Sequence, residues 1–307
     1  MNKNGGGPNP IRPIDFGTLV LLGFIWGSSF MFIELGLRSM TPISLAASRI
    51  AIGAAILLTA AHAMGHPFPR DLRHWRYFLM MGFLGHVVPF SLINAGQVAI
   101  DSGLAAILIA TVPLITLPLA HAFTDDRINA RKAIGVTLGF GGIVILVGPE
   151  ALGGLGARFW GQLMIVGAAI CFGITLVLAR RIKDVHPLVA SAASLSCSTV
   201  MTVILAFVVE TPLSLSPGAA SLLGIVLLGV FSTGAAMLIY FHLNSTVGPN
   251  FVAANNYIAP GVGVIWGVML LGEPFTWRMV GAFVVILAGI AVATLRRRAP
   301  PADSAVE

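Results

Sequence analysis

Arg49 lies seven residues beyond Pro42, in a stretch from Met40 to Gly65 that holds no other Asp, Glu, Lys or Arg. On a helix rising about 1.5 Å per residue it sits roughly 10 Å inside, where a lipid-facing charge costs about 3 kcal/mol or more. The guanidinium must therefore point into a bundle or reach back to an interface. It either anchors a substrate carboxylate or phosphate, or pairs helices by bonding backbone carbonyls or Glu34 across the short connection; pairing is the default expectation. His86, ten residues past Arg76, is the mid-run group whose ordinary pKa allows proton exchange near neutrality. It is a proton-relay candidate or a histidine hydrogen-bonded within the bundle.

Uncharged polar residues occur in the same kind of surroundings: Ser28, Asn94, Gln97, Thr111, Tyr240, Asn255, Asn256 and Tyr257. At membrane depth each must be paired or face water, so they are expected either to line a polar cavity or to pair helices. Trp26 and Trp266 fall deep in their runs and join the cavity candidates, whereas Trp160 and Trp277 stand at run ends and suit an interfacial belt. Pro113 and Pro260 are helix-kink candidates at run centres, since proline removes one backbone bond and clashes with the preceding turn. No HExxH or G-x-S-x-G pattern supports a hydrolase, and no GxxxxGK[ST] loop supports nucleotide-driven work. Neither charged rings nor a carbonyl filter, the usual marks of an ion channel, is visible. Cys171 and Cys197 lie inside apolar runs without a CxxC partner, so neither a metal, a cofactor nor a structural disulfide is expected.

The elements that must hold these residues follow from composition. With 57% hydrophobic and only 10% charged residues in 307, the chain has too little polar surface to coat a soluble globule. A bilayer core needs about 20 apolar residues per helix, and the charges divide the sequence accordingly. Asp15 to Glu34 frames one span and Arg38 to Arg70 a second. Arg76 to Asp125 holds two, joined near Asp101 and Gly103, and Lys132 to Glu150 holds a fifth. Arg158 to Arg180, Asp184 to Glu210 and Arg278 to Arg296 frame one each, and Thr211 to Gly272 holds two that divide at Asn244 to Asn250. The expected architecture is all-α and integral to the membrane, with ten transmembrane helices. The first helix is expected to be retained, because its apolar stretch exceeds a signal-peptide core.

A shift of 147 residues lays Gly82 on Gly229, Ala106 on Ala253, Pro113 on Pro260, Asp126 on Glu273 and Gly142-Ile143 on Gly289-Ile290. Slightly smaller shifts bring Thr41-Pro42 onto His186-Pro187 and Arg49 onto Ser194. The chain therefore reads as two diverged five-helix repeats, 16–149 and 159–295, with a linker at 150–158 and tails at 1–15 and 296–307. Because five is odd, the second copy enters the bilayer from the opposite side, and its basic residues should move to the opposite connections. Arg70, Arg73, Arg76 and Arg127, Arg131, Lys132 follow the second and fourth spans, while Arg180, Arg181 and Lys183 follow the sixth. Of the 18 Lys and Arg, this places 14 on the cytoplasmic side with both termini, 3 outside, and Arg49 within a span. The net charge of +6 is thus a topology signal, and the expected partners are the lipid bilayer and a small-molecule substrate, not nucleic acid.

The order of loose motifs through both repeats adds to this: Trp26-Gly27-Ser28-Ser29-Phe30, Pro42 with Arg49, and Ala105-Ala106 to Thr111-Val112-Pro113. They are matched by Ser232-Thr233-Gly234, Gly248-Pro249, Ala253-Ala254, Pro260, Gly272-Glu273-Pro274-Phe275-Thr276 and Gly289. In these the chain resembles the EamA-type transporters of the drug/metabolite transporter superfamily, from about Phe16 to Leu295. The resemblance implies a ten-helix secondary transporter or exporter of small metabolites, often amino acids, in the cytoplasmic membrane. It also implies a central cavity lined by helices one, three, four, six, eight and nine. Asp125-Asp126 in place of a Gly-Glu pair, Phe172 in place of a tryptophan and the acidic Glu34 depart from the family pattern.

Overall fold

Proline opens four of the helices, where its missing N–H is not needed and its fixed φ suits the first turn. A computed structural model describes residues 11–124, 127–152, 156–179 and 184–294. Its helices are α1 (Pro13–Leu37), α2 (Pro42–Ala63), α3 (Leu72–Gln97), α4 (Ser102–Phe123), α5 (Ala130–Leu152), α6 (Ala157–Ala179), α7 (Pro187–Val209), α8 (Ala219–Thr246), α9 and α10 (Trp277–Thr294). The ninth is made of a short piece, Pro249–Val252, and a longer one, Asn255–Leu271. Among the described residues, nine of the ten are long and apolar enough by themselves to cross a membrane, and the longer piece of α9 is a shorter apolar helix. Asp125, Asp126, Arg180, Arg181, Lys183, residues 1–10 of the first tail and the whole of the second tail lie outside the described residues.

Two boundaries differ from expectation: Arg131 and Lys132 lie in the first turn of α5 rather than in the connection before it, and the start of α3 differs likewise. Arg73 and Arg76 are not in a connection but in the first turns of α3, because Asp71 caps that helix by accepting from the His74 N–H at 3.0 Å. The same contact, with the His74 ring, holds the Asp71 carboxyl below its ordinary range.

The two five-helix units are inverted copies, and their packing shows it. Helix α1 lies against α9, and its counterpart α6 lies against α4; α2 lies against α8, and α7 against α3. The self-equivalent pairs α2 with α7 and α5 with α10 meet each other directly. This exchange of partners is what a twofold relation between halves requires. At the α5–α10 contact the backbones nearly touch: a Cβ on Gly135 would stand 2.5 Å from the Gly289 carbonyl, and one on Gly289 2.7 Å from that of Gly135.

One end of the bundle carries the odd-numbered connections, and there the repeats are laced together. Glu210, after α7, caps the start of α2 by accepting from Thr41 Oγ1 (2.6 Å), Ile43 N (2.9 Å), Ser44 N (2.8 Å) and Ser44 Oγ (2.7 Å). Burial alone would raise its pKa, but these four donors outweigh burial and hold it below the ordinary value. Glu273, after α9, caps α4 by accepting from Ser102 N (2.7 Å) and Gly103 N (2.9 Å). Gly272, at φ 69°, supplies the left-handed turn that brings Glu273 back over the bundle. Arg158–Asp101 at 3.0 Å and Ser39 Oγ–Ser221 Oγ at 2.7 Å complete the lacing. At the opposite end the repeats meet through His66 and His186, stacked with ring centres 3.9 Å apart.

Candidate functional site

The guanidinium of Arg49 projects from α2 toward α8, where its Nε donates to Thr233 Oγ1 at 3.3 Å. Its central carbon stands 4.2 Å from the centre of the Phe90 ring on α3. The residue is 5% exposed. Among the described residues it makes no ion pair. The expected Glu34–Arg49 pair is not formed. Glu34 is in electrostatic reach of Arg38, Asp101 and Glu273 at the laced end, whereas Arg49 lies about two turns deeper along α2.

His86 faces the same region from α3. Its Nδ1 is 3.5 Å from Ser198 Oγ on α7. Ser198 gives its single proton to the Ser194 carbonyl at 2.6 Å, which leaves its oxygen as an acceptor toward the imidazole. The His86 and Phe90 ring centres are 5.8 Å apart, and Phe172 of α6 meets Phe90 at 6.1 Å. On the other side of α8, Trp26 of α1 donates its indole N–H to the Ser232 carbonyl at 3.2 Å and lies 5.8 Å from the Tyr240 ring. Trp26, Arg49, His86, Phe90, Phe172, Thr233 and Tyr240 thus form one belt through the middle of the bundle.

Backbone irregularity produces this geometry. Both α3 and α8 contain π-helical turns, Phe83–Val87 and Leu227–Ala235, where Val88 N–H reaches Phe83 O and Ala236 N–H reaches Phe231 O. An extra residue in the turn re-aims the side chains that follow, and such turns occur at functional sites. Pro89 cannot donate to the preceding turn, which favours the wider turn in α3. His86 and Thr233 are 147 residues apart, so they are repeat-equivalent and each lies in its π turn. Each faces the second helix of the other repeat: Thr233 meets Arg49, and His86 meets Ser198, one turn beyond Ser194, the counterpart of Arg49.

Several expected cavity residues are elsewhere. Asn94 donates to the Pro42 carbonyl (2.8 Å) and Gln97 to that of Phe30 (3.0 Å), both sealed from solvent, with their side-chain oxygens unpartnered. They tie α3 to α2 and α1. Thr111 bonds within its own helix to Leu108 O at 2.6 Å. Trp266 donates to Ser28 Oγ at 2.7 Å and packs edge-on against the exposed Phe24, so this pair joins α9 to α1 at the bundle's outer face. Asn255 is buried beside Gly23 of α1, and the Tyr257 hydroxyl meets Thr294 of α10 at 3.3 Å. Helix α4 breaks at Ala110–Thr111, just before Pro113, so that proline starts a new helical segment. Pro260 lies inside the unbroken longer piece of α9, and the interruption there falls earlier, at Ala253–Ala254.

Residue type does not single out Phe90, Ser198 or Thr233 as site residues. Phe90 and Ser198 carry no signal in an apolar, serine-containing helix. Thr233 had one, its equivalence to His86 at the constant offset.

The profile of the EamA-like transporter family matches residues 16–148 and again 159–295. The chain is 28% identical over 297 residues to the uncharacterized inner membrane transporter YedA of Escherichia coli (strain K12), covering 95% of this chain and 94% of that protein. It is 25% identical over 286 residues to an uncharacterized transporter of Archaeoglobus fulgidus, covering 91% and 98% respectively. A solved crystal structure aligns with TM-score 0.66 and 18% identity over 92% of this chain and 98% of its own, which shows a shared fold.

Proposed function

We propose that this chain, which belongs to the EamA-like transporter family, is a secondary exporter of small metabolites that works by alternating access. The two units, 16–149 and 159–295, exchange roles around the Arg49–His86–Thr233 belt. The observation that carries this reading is the equivalence of His86 and Thr233: both repeats deliver a π-turn side chain to the same midplane region, and each meets the second helix of the other repeat. A site shared by inverted halves is opened to one side and then the other as the halves rock. The lacing by Glu210 and Glu273 closes the odd-numbered end in this state. With both termini in the cytoplasm, that closed end is the outer one, and the protein is a multi-pass component of the cytoplasmic membrane that loads from inside.

The test is counterflow in proteoliposomes preloaded with a mixed metabolite pool. Saturable exchange without ATP is expected, and absence of flux from every pool sinks the reading. Repeating the assay from acid to neutral pH with His86→Ala tests proton coupling. Because His86 is buried and hydrogen-bonded within the bundle, an unchanged pH profile is expected.

A further inference from the structure

We infer that the belt binds an organic acid through a bidentate contact between its carboxylate and the two terminal nitrogens of Arg49, and that the ligand carries no ammonium group. This rests on the transport reading above and names its substrate class.

Thr233 has one hydroxyl proton and donates it to Leu228 O at 3.0 Å, so its oxygen lone pair receives Arg49 Nε. With Nε held there and the guanidinium carbon stacked over Phe90, the plane of the fork is fixed. Its two Nη groups have no hydrogen-bond or ion-pair partner among the described residues. Guanidinium and carboxylate match through two parallel bonds, so the free edge is shaped for an R–CO₂⁻ group. A cation this deeply buried is strongly disfavoured without a counter-charge, and the Phe90 face contributes attraction without neutralising it.

The same surroundings exclude a zwitterion. Every acidic residue among the described ones, including Glu34, Asp101, Glu210 and Glu273, stands at a helix end or in a connection, so no described carboxylate in the belt pairs with an ammonium, and Arg49 repels one. The rings of the belt are Phe90 with Phe172 and Trp26 with Tyr240. An acid with an apolar body fits this chemistry; an α-amino acid does not.

Thermal shift of the full chain in detergent tests this without requiring flux. The probes are phenylacetate, phenylacetamide, phenethylamine, phenylalanine, chloride and inorganic phosphate. Phenylacetate should stabilise saturably and bind at least about tenfold tighter than the other five. Thr233→Val should weaken phenylacetate about tenfold, and Arg49→Gln on the order of 30-fold. If Arg49→Gln fails to fold, the wild-type probe series still decides. Equal response to phenylalanine or phenethylamine overturns the exclusion of ammonium. Equal response to chloride or phosphate makes Arg49 the holder of an inorganic counter-ion and overturns the substrate assignment, as does no response to any acid from acetate to indole-3-acetate. Counterflow separates the two readings. Carboxylate binding without any flux sinks transport alone, whereas flux of neutral or zwitterionic metabolites with no carboxylate response sinks this inference alone.

Discussion

Thr233 and Ser28 are both small hydroxyl residues in apolar helices, yet the fold gives them different work. Ser28 passes its proton to Phe24 O at 2.6 Å and accepts the Trp266 indole N–H, a contact that joins α1 to α9. Ser28→Ala should lower the melting temperature by an amount equivalent to about 1 kcal/mol and leave the transport KM unchanged. Thr233 instead orients Arg49 at the centre of the belt. Thr233→Val should preserve expression and raise KM about tenfold, with Thr233→Ser restoring it. A raised KM in Ser28→Ala, or none in Thr233→Val, would reverse these roles. From sequence alone Ser28 reads as a cavity candidate and Thr233 only as a small residue of a loose motif, because nothing in residue type says which helix face meets which neighbour.

At the scale of the element, helix ends decide how the repeats are held. Glu210 acts as a cap delivered from the other repeat, so its ionisation links helix capping to closure. Its folded pKa lies below the ordinary 4.5, so it binds its proton more weakly in the folded protein than in the unfolded chain. The stabilisation is therefore fully present above the ordinary value and is lost as pH falls through it toward the depressed one. Glu210→Gln should melt lower than wild type at neutral pH, by about 1–2 kcal/mol of stability. The gap between the two should shrink as pH drops below about 4.5. A gap that is constant across this range would rule out the cap as its cause. Glycine spacing in α5 and α10 was visible in the sequence as small-xxx-small pairs; only the structure shows that Gly135 and Gly289 face each other. Gly289→Val should cost on the order of 1–3 kcal/mol through that contact, read as loss of folded protein in a detergent melt.

For the whole molecule, orientation in the bilayer is the testable quantity. Leu213, 87% exposed in the α7–α8 connection, and Leu72, 75% exposed at the start of α3, lie at opposite ends of the bundle. With Cys171 and Cys197 replaced by serine, Leu213→Cys should react with an impermeant maleimide in intact cells. Leu72→Cys should react only after lysis. The reverse pattern would place the termini outside and make the laced end cytoplasmic. The basic residues that set this expectation lie in connections or in the first turns of the helices beside them, and the composition of such span ends is legible without knowing any packing.

The sequence by itself determined the solvent, the number of spans and the inverted duplication, because each is a one-dimensional quantity: the length of apolar runs, a constant offset, the parity of five. It also singled out Arg49 and His86, since a charge or imidazole in an apolar run stands out by type. Only the tertiary structure decided their partners. The π turns in α3 and α8 re-phase the residues after them, so helical periodicity counted from the sequence misplaces Phe90 and Thr233. Glu34, the nearest acid along the chain, was assigned to Arg49, whereas the cross-repeat packing of α2 on α8 brings Thr233 to it from 184 positions away. Asn94, Gln97, Thr111, Ser28 and Trp266 read as cavity lining because they are polar or large. Packing seals or turns them outward, since a membrane-buried donor is satisfied as well by a neighbouring oxygen of the chain as by water.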